Sequence, residues 1–319
     1  MNEAPYFSVV IPVHNKFPHL ERSINSVLNQ SYKNFEIILI DDASTDGSSE
    51  KLLTFTDPKI SLYKRSAPGP GGYAARNLGI KHSKYEWICF LDADDEWRTE
   101  LLSTIMEYIS ENATIECITW GWFNVSAKSK VLDITSRINA RHSHLYFTLI
   151  EFFNQKHTLW TGAVAFKKDL LLRSGCFPEV GYKRGGDVDT WIRCLWNSKG
   201  NMWINKTLSY YYLDSVNMVT KLTKRETLYF FSPFLTRLLT ESNDKLLIKA
   251  IKSFQNERIY STIRGQIIDR HPTDYQLIRR MNYSSDSVKL VFKLIYNRFK
   301  YSVKHFLGSL FRVNKTSST

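Results

Sequence analysis

Along the first hundred residues one pattern repeats: a short apolar run, then an abrupt change to polar or acidic side chains. Phe7 to Val13 is a β-branched run of the kind buried on both faces of a sheet, followed by His14, Asn15 and Lys16 in a turn. Leu20, Ile24, Val27 and Leu28 recur at helical spacing and predict a helix from about Pro18 to Asn29. Phe35 to Ile40 is a second buried run ending in Asp41 and Asp42, and Trp87 to Leu91 is another, ending in Asp92, Ala93, Asp94 and Asp95. Strand, helix and strand in such close succession form a βαβ unit whose strands run parallel. The acids therefore gather on one sheet edge, outside the strand carboxyl ends, where open α/β sheets bind ligands. Carboxylates there are placed to hold a divalent cation and an anionic ligand.

The remaining pattern is less regular. Asp42 to Asp46 precedes a helix running through Glu50 to Leu53, and Ser44 or Thr45 is expected to cap it. Pro68 to Gly72 reads as a mobile loop whose glycines let backbone approach a ligand, but it is not a dinucleotide fingerprint. Tyr73 to Lys81 is expected to be helical, with Arg76 and Asn77 in its first turns. Leu101 to Ile109 follows as an amphipathic helix, and Glu116 to Phe123 as a strand. Ser126 to Ile138 reads as a hairpin or loop, the stretch from Ser143 through Phe153 as a helix, and Leu159 to Phe166 as a strand in which Gly162 leaves room for a neighbour. A short helix from Asp169 to Ser174 is closed by Gly175. Gly185 and Gly186 then turn the chain into a helix with Asp187 in its first turn, either as a cap or as a general base facing a cleft. Tyr210 to Leu213 is expected to close the sheet.

With 43% hydrophobic and 14% aromatic residues in 319, the chain has ample material for a packed core. No early signal-like segment and no apolar run of about 20 residues is present, so a cytoplasmic protein, or one peripheral to the inner face of the cell membrane, is expected. Cys89, Cys117, Cys176 and Cys194 lack C-x-x-C spacing, which points to reduced thiols. Charge divides sharply: 24 Lys+Arg against 24 Asp+Glu through residue 219, then 19 against 7 over residues 220–319. The neutral first part argues against a nucleic-acid partner, whereas the basic remainder suits an anionic surface.

Five segments in order are together specific: Val-Val-Ile-Pro-Val-His-Asn at 9–15, Ile-Asp-Asp-Ala-Ser-Thr-Asp-Gly at 40–47, Ala-Ala-Arg-Asn-Leu-Gly-Ile at 74–80, Phe-Leu-Asp-Ala-Asp-Asp at 90–95 and Gly-Asp-x-Asp-x-Trp-x-Arg at 186–193. Over about residues 5–219 the chain resembles the inverting glycosyltransferases of family 2. The resemblance implies an α/β fold of GT-A type, a Rossmann-like, mostly parallel sheet flanked by helices, in a catalytic domain of residues 1–219. It implies that Pro12 and Asp42 line the nucleoside pocket with Arg76 beside them, that Asp92 meets the ribose, and that Asp94 binds the Mn²⁺ or Mg²⁺ bridging the donor diphosphate. Asp187 matches the base, and Thr161 and Gly162 fall where the family borders its acceptor site; Asp95 reads as a helix-start residue. Two departures stand out: Gly186 occupies the place of the family's usual Glu, and residues 214–220 lack the His that many members carry. The implied activity is transfer of a sugar from a UDP-sugar to a glycan or lipid-linked acceptor in bacterial surface polysaccharide synthesis. A non-catalytic nucleotide-sugar or glycan-binding module and, more remotely, a nucleotidyltransferase are the alternatives.

Residues 220–319 read as basic and mainly helical. From Val288 to Val313, apolar residues at 288, 292, 295, 299, 303, 306, 310 and 313 form one stripe flanked by Lys289, Lys293, Lys300 and Lys304. Such a helix is expected either to lie on an anionic membrane or to pack against the protein, including as a homo-oligomer contact.

Overall fold

The computed structural model describes residues 5–218, 228–269, 272–284 and 287–301. The chain divides into two compact units, Met1–Tyr229 and Phe230–Thr319.

The first unit is built on a ten-stranded mixed sheet. Its first half follows from the β-branched runs: β1 (Phe7–Val13), β2 (Phe35–Asp41), β3 (Ile60–Lys64) and β4 (Trp87–Phe90) lie parallel in the order β3-β2-β1-β4. Beyond β4 the sheet changes direction. Strand β5 is Glu96–Trp97, β6 Cys117–Ser126, β7 Ser129–Leu132, β8 His144–Tyr146, β9 Val164–Lys167 and β10 Asn201–Tyr212. Antiparallel β9 sits between β4 and β6, β6 and β10 are parallel, and β5 pairs antiparallel with β10. The expected α/β fold is present, with a sheet more mixed than the βαβ repeat alone implies, because β9 inserts from a long connection.

Helices α1 (Leu20–Leu28), α2 (Ser48–Leu52), α3 (Tyr73–His82), α4 (Leu101–Glu111), α5 (Ile134–Ile138), α6 (Leu149–Phe153), α7 (Lys168–Arg173) and α8 (Gly186–Asn197) complete the first unit. Gly79 sets the depth of α3: a Cβ there would stand 2.2 Å from Val10 Cγ1, so only glycine lets the helix sit this close to β1. A buried polar seam lies behind the sheet edge, where Trp97 Nε1 and Ser209 Oγ both donate to Gly162 O at 3.0 Å and Trp120 Nε1 donates to Ser209 Oγ at 2.7 Å.

Several local expectations are corrected. Ser44 and Thr45 do not cap α2; Asp46 Oδ1 accepts from Ser48 N at 3.0 Å, while Ser44 and Thr45 bond to Asn15. The helix expected from Ser143 is instead β8, paired with β10, and then α6, which begins at a capping box of Thr148 and Glu151. Leu159 to Phe166 opens not as strand but as a 3-10 turn at Thr161–Ala163 before β9. Pro70–Gly72 is likewise a 3-10 turn, with Gly71 and Gly72 at positive φ. Asp95 starts no helix: it is buried, and Oδ1 accepts from Tyr212 N at 2.8 Å.

In the second unit, Asp244 caps a helix at Lys245–Ile268, and residues 287–301 are helical. Ser287, Leu290 and Leu294 form the packed face of that last helix. The apolar positions 288, 292, 295 and 299 face outward; Phe292 and Phe299 are 66% and 69% exposed. Positions 303, 306, 310 and 313 lie outside the described residues. Among the described residues no helix is long and apolar enough to cross a membrane.

Candidate active site

The acids expected at the carboxyl edge are held by cations contributed from several elements. Asp41, last residue of β2, accepts from Ser44 N at 3.0 Å and from Ser49 Oγ, and so braces the turn rather than facing a ligand. Asp42 forms an ion pair with Arg65, and its Oδ2 accepts from Gly69 N at 3.1 Å. Pro12 is half-buried on neighbouring β1; a Cβ at Gly72 would come within 3.9 Å of its ring, so the glycine turn lies over Pro12.

Arg76 projects from the first turns of α3 and is buried. Its Nη1 donates to Gly71 O at 2.9 Å and its Nη2 to Asp92 Oδ1 at 2.5 Å. The charges of both Asp92 and Asp187 act on the guanidinium; although burial opposes its charge, its pKa is raised. Arg76 thus pairs with Asp92 and lies within reach of the charge of Asp187, 95 positions further along the sequence. Burial pushes the Asp187 carboxyl above the ordinary carboxylate range, while the Arg76 charge and the amide of Val188, 3.0 Å from Asp187 Oδ1, work in the other direction.

Asp187 occupies the first turn of α8 but is not its cap: the preceding Gly185, at φ 79°, provides no side chain for that role. Elsewhere in the same motif the side chains are structural. Arg193 pairs with Asp189 at 3.0 Å and donates to the carbonyls of Ser174 and Cys176. Asn77, next to Arg76, exchanges hydrogen bonds with the backbone of Phe177 at 2.8 and 2.9 Å. The Asn77 bonds tie the segment leading into α8 to α3, and the Arg193 bonds tie α8 to that same segment, so together they fix Asp187 relative to Arg76.

Asp94 lies at the other side of the cleft. Its Oδ2 accepts from Lys16 Nζ at 2.7 Å, and the same ammonium donates to Val216 O at 2.7 Å and Asn217 O at 3.4 Å. Arg22 donates to the Asp94 carbonyl while its guanidinium covers the Tyr212 ring, 3.6 Å from the centroid. His19 stands close enough to feel the Asp94 charge, and its Nε2 accepts from Val216 N at 3.2 Å. Burial, then the Arg22 charge, lower the His19 pKa; Asp94 pulls it upward.

The donor set at Asp94 fits a hard divalent cation in kind, with a carboxylate and two backbone carbonyls around one position. Among the described residues no group of three or more His, Cys, Asp or Glu converges there, so donor phosphates and water would have to complete such a site. Thr161 and Gly162 are buried, and the Gly162 carbonyl is engaged in the polar seam.

Lys16, His19, Arg22 and Arg65 complete the site. The signal for the first three was their position directly after β1, at the same edge as the acids. Arg65 follows β3, a strand that is only half-buried and carries a weak pattern.

An acid-rich carboxyl edge on a mixed α/β sheet, with a carboxylate at a nearby helix start, is where α/β folds of this kind bind ligands. The chain belongs to glycosyl transferase family 2, whose model matches residues 8–172. An uncharacterized glycosyltransferase of Rickettsia conorii is 30% identical over 288 residues, covering 81% of this chain and 45% of that protein. The chain therefore spans about half the length of that relative. The minor teichoic acid biosynthesis protein GgaA of Bacillus subtilis is 24% identical over 299 residues, covering 80% of this chain and 64% of GgaA. Staphylococcus aureus TarS residues 1–349, solved in complex with UDP-GlcNAc, superposes with a TM-score of 0.73 at 17% identity, over 95% of this chain and 92% of that one. That likeness establishes the GT-A glycosyltransferase fold.

Proposed function

We propose that this protein is an inverting glycosyltransferase that takes a sugar from a UDP-sugar and delivers it to a glycan or lipid-linked acceptor in bacterial surface polysaccharide synthesis. The observation that carries the reading is the buried ion pair of Arg76 with Asp92, close enough to Asp187 for the charges to act on one another, with Asp42 and Asp94 on the same strand-end edge. Asp42, held by Arg65 and Gly69 beside Pro12, is the polar end of the nucleoside pocket, and Asp92 meets the ribose. UDP as the nucleotide is supported by the UDP-GlcNAc complex of TarS, and the polysaccharide setting by the likeness to GgaA.

Asp187 is the group that removes the acceptor hydroxyl proton. Its raised pKa favours accepting a proton, and the Arg76 charge keeps the carboxylate form accessible. The oxygen freed of its proton attacks the anomeric carbon from the face opposite the diphosphate, which inverts that centre. Asp94 is the protein ligand for Mn²⁺ or Mg²⁺, and a bound divalent ion there would supply neutralisation of the departing nucleoside diphosphate.

A panel of nucleotide sugars tested for thermal stabilisation, with and without Mn²⁺, examines the donor assignment. UDP-sugars should stabilise the protein and GDP-sugars should not; Asp42→Ala should abolish the shift. Release of pyrophosphate instead of UDP would favour a nucleotidyltransferase. Binding without any turnover would favour a carbohydrate-binding module.

The basic helix at 287–301 is assigned to an anionic membrane surface. Val288, Phe292, Ile295 and Phe299 face outward among Lys289, Lys293, Arg298 and Lys300, with no acid in the segment. Two such faces would repel one another across a subunit interface, whereas anionic lipid complements both the apolar stripe and the charge. Co-sedimentation with phosphatidylglycerol vesicles but not phosphatidylcholine vesicles is expected, with loss of binding in Phe292→Ser/Phe299→Ser. Full-length protein left in the supernatant with both would refute the assignment.

A further inference from the structure

Helix α8 carries Asp187 in its first turn, and its leading amides need acceptors. Gly185 offers none. The acceptor comes instead from the first residue of α3: Tyr73 Oη receives the Gly186 N–H at 3.0 Å across 113 positions of sequence. The Asp187 amide also acts on this hydroxyl. Tyr73 is 4% exposed, and its ring stacks on Phe177 with centroids 6.1 Å apart and planes 10° apart. Asn77, one turn further along α3, holds the Phe177 backbone.

The glycines around this ring record its presence. A Cβ at Gly186 would stand 2.9 Å from the Tyr73 ring and 2.9 Å from Pro178 Cγ, and a Cβ at Gly71 would stand 2.5 Å from the same ring. Gly186 is the first residue of α8 and has ordinary helical backbone. Neither its conformation nor a turn requires glycine there, since no positive φ occurs at 186. The close approach of Tyr73 does.

We infer that Tyr73 is a positioning residue for Asp187: its hydroxyl caps the helix start that bears the base, and Gly186 is the space that admits its ring. This rests on Asp187 acting as the base. Tyr73 and Arg76 are three positions apart on α3 and so share a face, which makes α3 the element that sets both the orientation and the charge environment of Asp187. The inference also accounts for the departure at position 186, since any side chain there would displace the tyrosine.

Tyr73→Phe removes one oxygen and keeps the ring, and Gly186→Ala displaces the ring and keeps the oxygen. Each is expected to lower kcat at least about tenfold, the scale on which a misplaced catalytic group acts, with donor KM within about twofold of wild type. The double variant should be no slower than Gly186→Ala alone, because both act on one contact. Independently of turnover, hydrogen exchange over residues 185–190 should accelerate in Tyr73→Phe. Wild-type exchange and wild-type kcat in Tyr73→Phe, a loss confined to donor KM, or losses that multiply in the double variant would each overturn the inference. If Gly186→Ala fails to fold, Tyr73→Phe decides alone. Asp187→Asn with wild-type kcat would overturn the base assignment itself, whereas an inactive Asp187→Asn beside an unaffected Tyr73→Phe overturns only the role of the tyrosine.

Discussion

Lys16 places an ammonium on the oxygens that a divalent cation would need, and this sets up a competition that can be measured without any turnover. In Lys16→Met the stem of the side chain is retained and the charge removed. Lys16 and Asp94 side chains are only 13% and 11% exposed, so their 2.7 Å contact is poorly screened. A charge-assisted hydrogen bond contributes about 1.5–3 kcal/mol, and each 1.4 kcal/mol is a factor of ten in affinity. An ion binding at Asp94 must displace this contact, so the wild-type affinity is reduced by that amount. Taking the lower bound, because the Asp94 carboxylate freed in Lys16→Met is itself partly hydrated, the variant should bind Mn²⁺ about tenfold more tightly. Electron paramagnetic resonance of free aqueous Mn²⁺, titrated against protein saturated with UDP, reads this without turnover, with UDP alone as the background and Asp94→Asn as the control that adds nothing to it. Unchanged or weaker Mn²⁺ binding in Lys16→Met would refute the competition and make Lys16 a supporting rather than a competing group.

Arg76→Met should leave Asp92 and Asp187 without their shared cation. Urea denaturation should show a loss of about 3 kcal/mol, the low end for a broken buried pair because Asp92 retains 29% side-chain exposure. The acidic limb of the kcat profile should move to higher pH, since Arg76 opposes the upward push of burial on Asp187. Asp187→Asn should abolish turnover yet raise Tm at neutral pH. A carboxyl whose folded pKa is raised stabilises the fold fully below its unfolded pKa and loses that contribution as pH rises through the folded value. The gain in Tm should therefore vanish at a pH low enough to protonate Asp187 in both states, which differential scanning calorimetry at about pH 2.5 and pH 8 tests.

Much of this architecture was legible because it depends on local pattern. The runs at Phe7–Val13, Phe35–Asp41 and Trp87–Phe90 are buried on both faces, so their sequences are continuously apolar, and the acids after β2 and β4 stand out against them. Strand β3 went unread because Ile60–Lys64 is half-buried and interleaves polar residues. The stretch from Ser143 was misread because apolar residues at 145, 147, 149 and 150 fit two periods at once. The Thr148-x-x-Glu151 box was the signal that would have placed the helix start later. At the site, Asp42, Asp92, Asp94 and Asp187 could be named from sequence, but their partners could not. Lys16 meets Asp94 across 78 positions, Arg65 meets Asp42 across 23 and Tyr73 meets Gly186 across 113. Such pairings depend on the order of strands in the sheet, which periodicity does not encode. The outward stripe of 287–301 shows the same limit, since an apolar face is equally compatible with a core and with a lipid surface until its packing partner is known.

The most direct test of the glycosyltransferase assignment is product analysis with a UDP-sugar identified from the panel and a glycan or lipid-linked acceptor. Wild-type protein should release UDP in step with transfer, and nuclear magnetic resonance of the product should show the anomeric configuration opposite to that of the donor, with both signals lost in Asp187→Asn. Transfer with retained configuration, or undiminished transfer by Asp187→Asn, would contradict the single displacement and the base on which it depends.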